Sequence, residues 1–273
     1  MKNKNIKKVI KESILELINN TFNDTKIEKI IEKHEVKTHF VPIRYRIFGG
    51  LLQSLNIQFG NFIEVLMHKI IEKEKHLEIV NEISGKKNIS LSLTEETDSL
   101  IDRFISDRQN NNNDKLSDKF EKLLENIIIT QEPDKNLITA KHDVDVLFRD
   151  RKSNIYYYVE IKYNDDHDTD KFVGINRKFL KTYAGLAKKL DIKDVKRLKP
   201  ILYYLNRKVM KGNIYVPEDK YIYRGEKLFV EFLSVKYIDV DRYLKNVSED
   251  KETLEIFDNV YKKIRFGKKN GKI

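Results

Sequence analysis

The chain has 273 residues, no cysteine and a formal net charge of +10. The length allows one large domain or a core with an added subdomain, and the lack of cysteine excludes disulfides, thiolate metal sites and cysteine nucleophiles. Residues 1–140 hold 22 basic and 22 acidic side chains, whereas residues 141–273 hold 31 and 21, so the whole positive excess lies in the second half.

Within that half, residues 171–211 carry 13 basic side chains against two acids, Asp191 and Asp194. Clustering of this kind predicts a polyanionic partner. Lysines serving only to solvate the surface would raise both halves alike.

In chain order, residues 5–22 predict an amphipathic helix, with Ile6, Val9, Ile10, Ile14, Leu17 and Ile18 on one face. Charge interrupts this segment, so it does not read as a secretory signal. No stretch reaches the roughly 18 continuous apolar residues of a membrane span, and the expectation is a soluble, cytoplasmic protein. Asn23-Asp24-Thr25 predicts a break and a cap for a second helix over 25–34. The segment "THFVPIRYRIFGGLLQSL" holds a proline and a Gly49-Gly50 pair, and is expected to begin as a loop or short extended piece. Residues 60–79 predict a strong helix, with Phe62, Ile63, Leu66, Met67, Ile70 and Ile71 on its apolar face. The polar "RQNNNNDK", 108–115, reads as a flexible joint between an N-terminal helical region, 1–108, and a core, 115–273. A helix over 115–128 opens that core, with Leu116, Phe120, Leu123, Leu124 and Ile127 inward.

The period then changes. "LITAKHDVDVLFRD" (137–150) and "NIYYYVEIKY" (154–163) predict two strands of an antiparallel hairpin, joined by "RDRKSN". Residues 174–190 return to helix, and "KPILYYLNRKVM" gives another strand. "EKLFVEFLSV" and "YIDVDRYLKNV" fit strand or helix. The order predicts a mixed α/β core preceded by helices.

Side chains alternate along a strand. Glu160 and Lys162 therefore share a face with Tyr156 and Tyr158, while Val159 and Ile161 take the other. Asp143 and Asp145 share a face on the first strand. If both apolar sets face the core, Asp143, Asp145, Glu160 and Lys162 crowd one surface, with neighbours about 5 Å apart. Crowded carboxylates repel unless a cation intervenes. Mg²⁺ answers this need, since it binds through one or two carboxylates plus waters and phosphate oxygens. It can polarise a phosphodiester and help deprotonate water, while a lysine offsets the charge that builds on phosphate. The competing reading is a solvated surface pair. The apolar flanks, the preceding acids and the basic helix that follows weigh against it.

The spacing of Asp145, a 14-residue gap, then Glu160-Ile161-Lys162 resembles the PD-(D/E)XK nuclease superfamily. The resemblance covers about 140–205, although Val144 stands where many members have proline. It implies a restriction-endonuclease-like α/β core, a mixed central sheet flanked by helices. It also implies Asp145, Glu160 and the backbone carbonyl of Ile161 as metal ligands, with Lys162 assisting the water. Asp143 competes with Asp145 for its role. "FGNFIE" (59–64) resembles the helix that leans over such sites, which makes Glu64 a further metal or water contact. Size and organisation resemble bacterial type II restriction endonucleases. "QSLNIQFGNFIE" and "EIKYNDDHDTDKF" resemble HinfI-like enzymes, which cut a short interrupted palindrome.

That resemblance implies Mg²⁺-dependent, sequence-specific hydrolysis of double-stranded DNA, leaving 5′-phosphate ends. A homodimer would act on a short (pseudo)palindromic site. Asn176, Arg177, Lys178 and Lys181, with Tyr183 behind, are expected at the start of the 174–190 helix to meet phosphates. Arg224 is expected to read guanine. "NDDHDTD" (164–170) reads as an acidic turn, or as a loop meeting bases or a second subunit, with His167 as an acid or base or, more in keeping with a lone loop histidine, a surface residue. Two rival readings remain: a repair, junction-resolving or transposition nuclease, and a non-catalytic nucleic-acid-binding module.

Overall fold

Two helices begin the chain, α1 (Asn3–Thr21) and α2 (Asp24–Glu35). Asn23 caps α2 as its spacing predicts, with its side chain accepting from Lys26 N at 2.9 Å. The computed structural model describes residues 3–110, 115–131 and 136–266. Residues 111–114 of the polar segment, and the side chains of Ile6 and Val9, lie outside the described residues.

α3 (Ile43–Ile71) begins directly after Pro42 and runs through Gly49-Gly50, where the sequence favoured a loop. Proline is tolerated at a helix start, while each interior glycine costs about 1 kcal/mol. Close packing explains Gly50. A Cβ there would stand 3.1 Å from both His34 Nε2 and Ile30 Cγ2, so the missing side chain lets α2 approach. α3 also ends at Ile71, short of the expected 79, and Leu77–Ile79 forms a strand, β1.

β2 (Gly85–Thr94) and α4 (Glu95–Asn110) follow, then α5 (Leu116–Thr130), β3 (Leu137–Val144), β4 (Val146–Asp150) and β5 (Tyr156–Lys162). α6 (Thr169–Lys189) leads to β6 (Leu198–Tyr204) and β7 (Ile222–Arg224). The two ambiguous segments are helical, giving α7 (Glu226–Phe232) and α8 (Tyr237–Ser248), and α9 (Lys251–Phe266) closes the described chain.

The chain divides into two compact units, Met1–Leu66 with Val235–Ile273, and Met67–Ser234. The first unit has its own core, in which Ile18, Phe22, Ile27, Ile47, Leu51, Val260 and Ile264 are buried. The second contains the sheets, and the polar segment at 108–115 falls inside it. Among the described residues, no helix is long and apolar enough to cross a membrane.

The main sheet of the second unit has the order β1-β4-β5-β6-β7. β1, β4 and β5 pair antiparallel, and β5, β6 and β7 pair parallel, so the sheet is mixed. α6 covers one face, where Tyr158 stacks on Phe179. α7 lies against the other, where Phe232 meets Phe148, Tyr157 and Tyr223. Both faces of β5 are thus buried, which explains its near-continuous apolar run.

The expected hairpin is shorter than the sequence suggested. β4 pairs with β5, from Val146 opposite Val159 to Arg149 opposite Tyr156. β3 instead pairs with β2 in a separate two-stranded ribbon. The chain crosses from ribbon to main sheet at Asp145. Ser84 holds the crossing: its hydroxyl donates to Leu147 O at 3.0 Å and accepts from Leu147 N at 2.9 Å.

Candidate active site

Continuing the β4–β5 register by one position places Asp145 opposite Glu160. Both are buried, at 8% and 1% exposed. Asp145 Oδ2 accepts from Ile161 N at 2.7 Å, which fixes its direction. Lys162 Nζ lies 2.7 Å from Glu160 Oε1, 2.9 Å from Ile161 O and 3.5 Å from Asp145 Oδ2. Two carboxylates and a carbonyl therefore converge on one positive charge. This all-oxygen set suits a hard divalent cation. Among the described residues, no group of three or more His, Cys, Asp or Glu side chains offers a rival metal site.

Glu160 is braced from three sides. Tyr158 donates its hydroxyl hydrogen to Oε2 at 2.8 Å, and Lys178 Nζ stands 3.4 Å from Oε1. Burial alone would raise the Glu160 pKa, but the charges of Lys162 and Lys178 and the bonds from Lys162 and Tyr158 hold it below the usual value. Tyr158 is pushed well up, by burial first and then by the neighbouring Glu160 and Asp145. On α6, Thr182 Oγ1 lies 3.0 Å from His142 Nδ1. Burial, then Lys178, keeps His142 below the usual histidine value. The support from Tyr158 is not among the sequence expectations. Tyr158 was findable, because alternation already put it on the face of Glu160.

Several of the other expected residues have different partners. Asp143 faces the ribbon and accepts from Asn88 N at 2.8 Å, so it is not part of this cluster. The shared face expected for Asp143 and Asp145 is broken because the strand changes sheets between them. Glu64 lies half-buried on α3, in the first unit. Asn176 and Tyr183 are fully buried, which corrects their expected role at DNA. α6 starts at Thr169, capped by Asp168, not at 174. Their spacing puts both in the inward stripe with Phe172, Phe179 and Leu180. Arg177 pairs with Asp102 at 2.9 Å, and Lys181 with Asp98 at 2.6 Å, both on α4. Arg224 is nearly buried, pairs with Asp165 and Glu218, and lies over the Tyr204 ring. Its expected reading of guanine is corrected accordingly. Of the basic residues proposed on α6, Lys178 reaches the carboxylate cluster.

A family model described as type II restriction endonuclease, HinfI, matches residues 2–248. The chain belongs to this family. The type II restriction enzyme HinfI of Haemophilus influenzae is 46% identical over 262 residues, 96% of this chain and 98% of that enzyme. No solved structure matches the chain. As a HinfI-family type II restriction endonuclease, it is a site-specific deoxyribonuclease acting on DNA, and the enzymes of this class are generally metal-dependent. The mixed five-stranded sheet flanked by helices is the core expected of such an enzyme. The inert-module and repair-nuclease readings give way to this one.

Proposed function

We propose that the chain cuts double-stranded DNA at a short (pseudo)palindromic site with Mg²⁺ as its metal, working as a homodimer in the bacterial cytoplasm, and that Asp145, Glu160 and Lys162 carry the chemistry. The convergence of Asp145 Oδ2, Glu160 Oε1 and Ile161 O on Lys162 Nζ carries this reading. The same three oxygens would hold Mg²⁺, which, when bound, supplies Lewis-acid polarisation of the phosphodiester and a more acidic water.

The chain's own groups do the rest. The Lys162 ammonium donates hydrogen bonds, which suits it to orient the attacking water and offset phosphate charge. Tyr158 keeps Glu160 turned so that Oε1 faces the cluster. Lys178 adds a second positive charge at the rim. Water attacks phosphorus in line, and the bond to the 3′-oxygen breaks. The products are a 5′-phosphate and a 3′-hydroxyl. A two-fold DNA site matches a two-fold protein, with each subunit cutting one strand.

The test is a Mg²⁺ digest of a plasmid and phage DNA panel, with the fragment ends sequenced. Discrete fragments with 5′-phosphates at one palindromic sequence are expected, and sedimentation of the free protein should report a dimer. Cutting that persists in EDTA, or random nicking, overturns the reading.

A further inference from the structure

Residues 206–213, "NRKVMKGN", leave the end of β6 beside Lys162. Leu205 N donates to Lys162 O and Asn206 N to Tyr163 O, each at 2.9 Å. Irregular surface loops are ordinarily among the more mobile parts of a protein. This one is tied to a fully buried carboxylate, Asp165. Asp165 accepts from Met210 N at 2.9 Å, from Gly212 N at 3.4 Å and from Arg224 Nη2 at 3.0 Å. Burial of a charge is costly without such partners. The loop's far end is tied as well. Asn213 accepts from Tyr215 N and Val216 N, and donates to Asn176 Oδ1 at 2.9 Å. Asn176 is buried and fixed in turn to Phe172 O.

This anchoring presents two apolar side chains to solvent. Val209 is 50% exposed and Met210 43%. Arg207, Lys208 and Lys211 flank them, all exposed. Arg207 makes a surface pair with Glu226 at 2.8 Å, and Lys211 reaches the carbonyl of His167. Surface pairs of this kind are weak and readily exchanged for phosphate. An apolar tip ringed by three cations, on a loop whose root is bonded to the backbone of the proposed cleavage lysine, matches a duplex in which phosphates border the apolar faces and methyl groups of the bases.

We propose that the 206–213 loop is a preformed DNA-reading element. Arg207, Lys208 and Lys211 take backbone phosphates, and Val209 and Met210 enter a groove beside the scissile bond. There, apolar side chains discriminate by touching thymine methyls or wedging against a base step. Asp165, Asn176 and Arg224 are positioning residues that hold the loop ready, which lowers the ordering cost of binding. The proposal rests on the reading of Asp145, Glu160 and Lys162 as the cleavage centre.

The test uses the full chain carrying Val209→Ser with Met210→Ser, two exposed changes that leave the anchors intact. Val230→Ser, at a position 82% exposed on α7, is the control. Fluorescence anisotropy, with Ca²⁺ in place of Mg²⁺, compares the site found by fragment sequencing with a random duplex. Affinity for the site should fall about tenfold or more in the double variant, with random-duplex affinity within about twofold, since single base-pair contacts carry effects of this order. The control should match wild type, and all melting midpoints should agree. Asp165→Asn should show the same loss of discrimination, and if it fails to fold, the exposed pair still decides. A double variant that discriminates as well as wild type overturns the proposal, including where it alters only the oligomeric mass. A wild-type protein that prefers no sequence also overturns the loop proposal, whereas near wild-type cutting by Lys162→Ala and Asp145→Asn overturns the cleavage-centre reading on which it rests.

Discussion

Tyr158 precedes Glu160 by two positions on one face of β5 and donates to its Oε2 at 2.8 Å, with both groups buried. This bond uses the carboxylate oxygen that does not face Lys162, and it stops the carboxylate from rotating. Tyr158→Phe keeps the ring stacked on Phe179 and removes only the bond. Cleavage, or apparent Mg²⁺ affinity, should fall about 10–100-fold, as for other supports of metal ligands. Single-turnover cleavage against Mg²⁺ concentration measures it. An unchanged Mg²⁺ midpoint together with an unchanged rate would remove Tyr158 from the positioning role.

Lys162→Ala and Asp145→Asn should each lower cleavage by a factor on the order of 10³ or more, given what charge stabilisation at a reacting phosphate contributes. Specific binding should survive, because neither change touches the 206–213 loop. A nicking assay and a mobility-shift titration on the same preparations separate the two effects. Near wild-type cutting by both variants would sink the site assignment.

Asp165 supplies a pH-dependent part of the stability. Burial would raise its pKa, but the bonds from Met210 N, Arg224 and Gly212 N hold it below the ordinary 3.8. A carboxyl depressed in the folded state stabilises the fold above its unfolded value, and the contribution is lost as pH falls through the folded one. Asp165→Asn should therefore cost about 3 kcal/mol near neutrality by leaving Arg224 without its buried partner. Urea melts at a series of pH values should show the gap to wild type shrinking in acid, below about 3.8. A gap that is constant with pH would contradict an ionised Asp165.

α6 lies close against β2 at Gly185, where an added Cβ would stand 2.7 Å from Leu91 Cβ. Neither atom is the end of a flexible chain, so helix or strand must shift. Gly185→Ala should lower stability by about 1–3 kcal/mol, the usual range for overpacking. Urea denaturation checks this, and an unchanged midpoint would mean that the two elements are free to separate.

The parts of the fold read correctly from sequence depend on neighbours close in the chain. The Asn23 cap, the inner face of α5 and the β4–β5 pairing follow from local spacing. β2 is not legible from local pattern, since its partners on β3 lie more than forty residues away and four of its ten residues are exposed. Asp143 and Asp145 could not be separated, because alternation assumes a strand that stays in one sheet. Asn176 and Tyr183 read as DNA contacts by their chemistry and by a helix start at 174. Their spacing from Phe172 and Phe179 already fitted an inward stripe, and that signal outranks residue type for a side chain in the middle of a helix. Asp165 looked like one acid among several in a loop, since burial of a carboxylate depends on amides from forty-odd residues later in the chain.

The strand change at Asp145 has a mechanical meaning. The backbone on one side of this carboxylate is locked to the ribbon, and on the other side to the main sheet. A twist of either about the strand axis must turn the residue between them. Ser84, gripping both the N–H and the C=O of Leu147, is the stop against which such a torque works. Load applied to the β2–β3 ribbon therefore reaches Asp145 through two covalently continuous strands, with no loop needing to move.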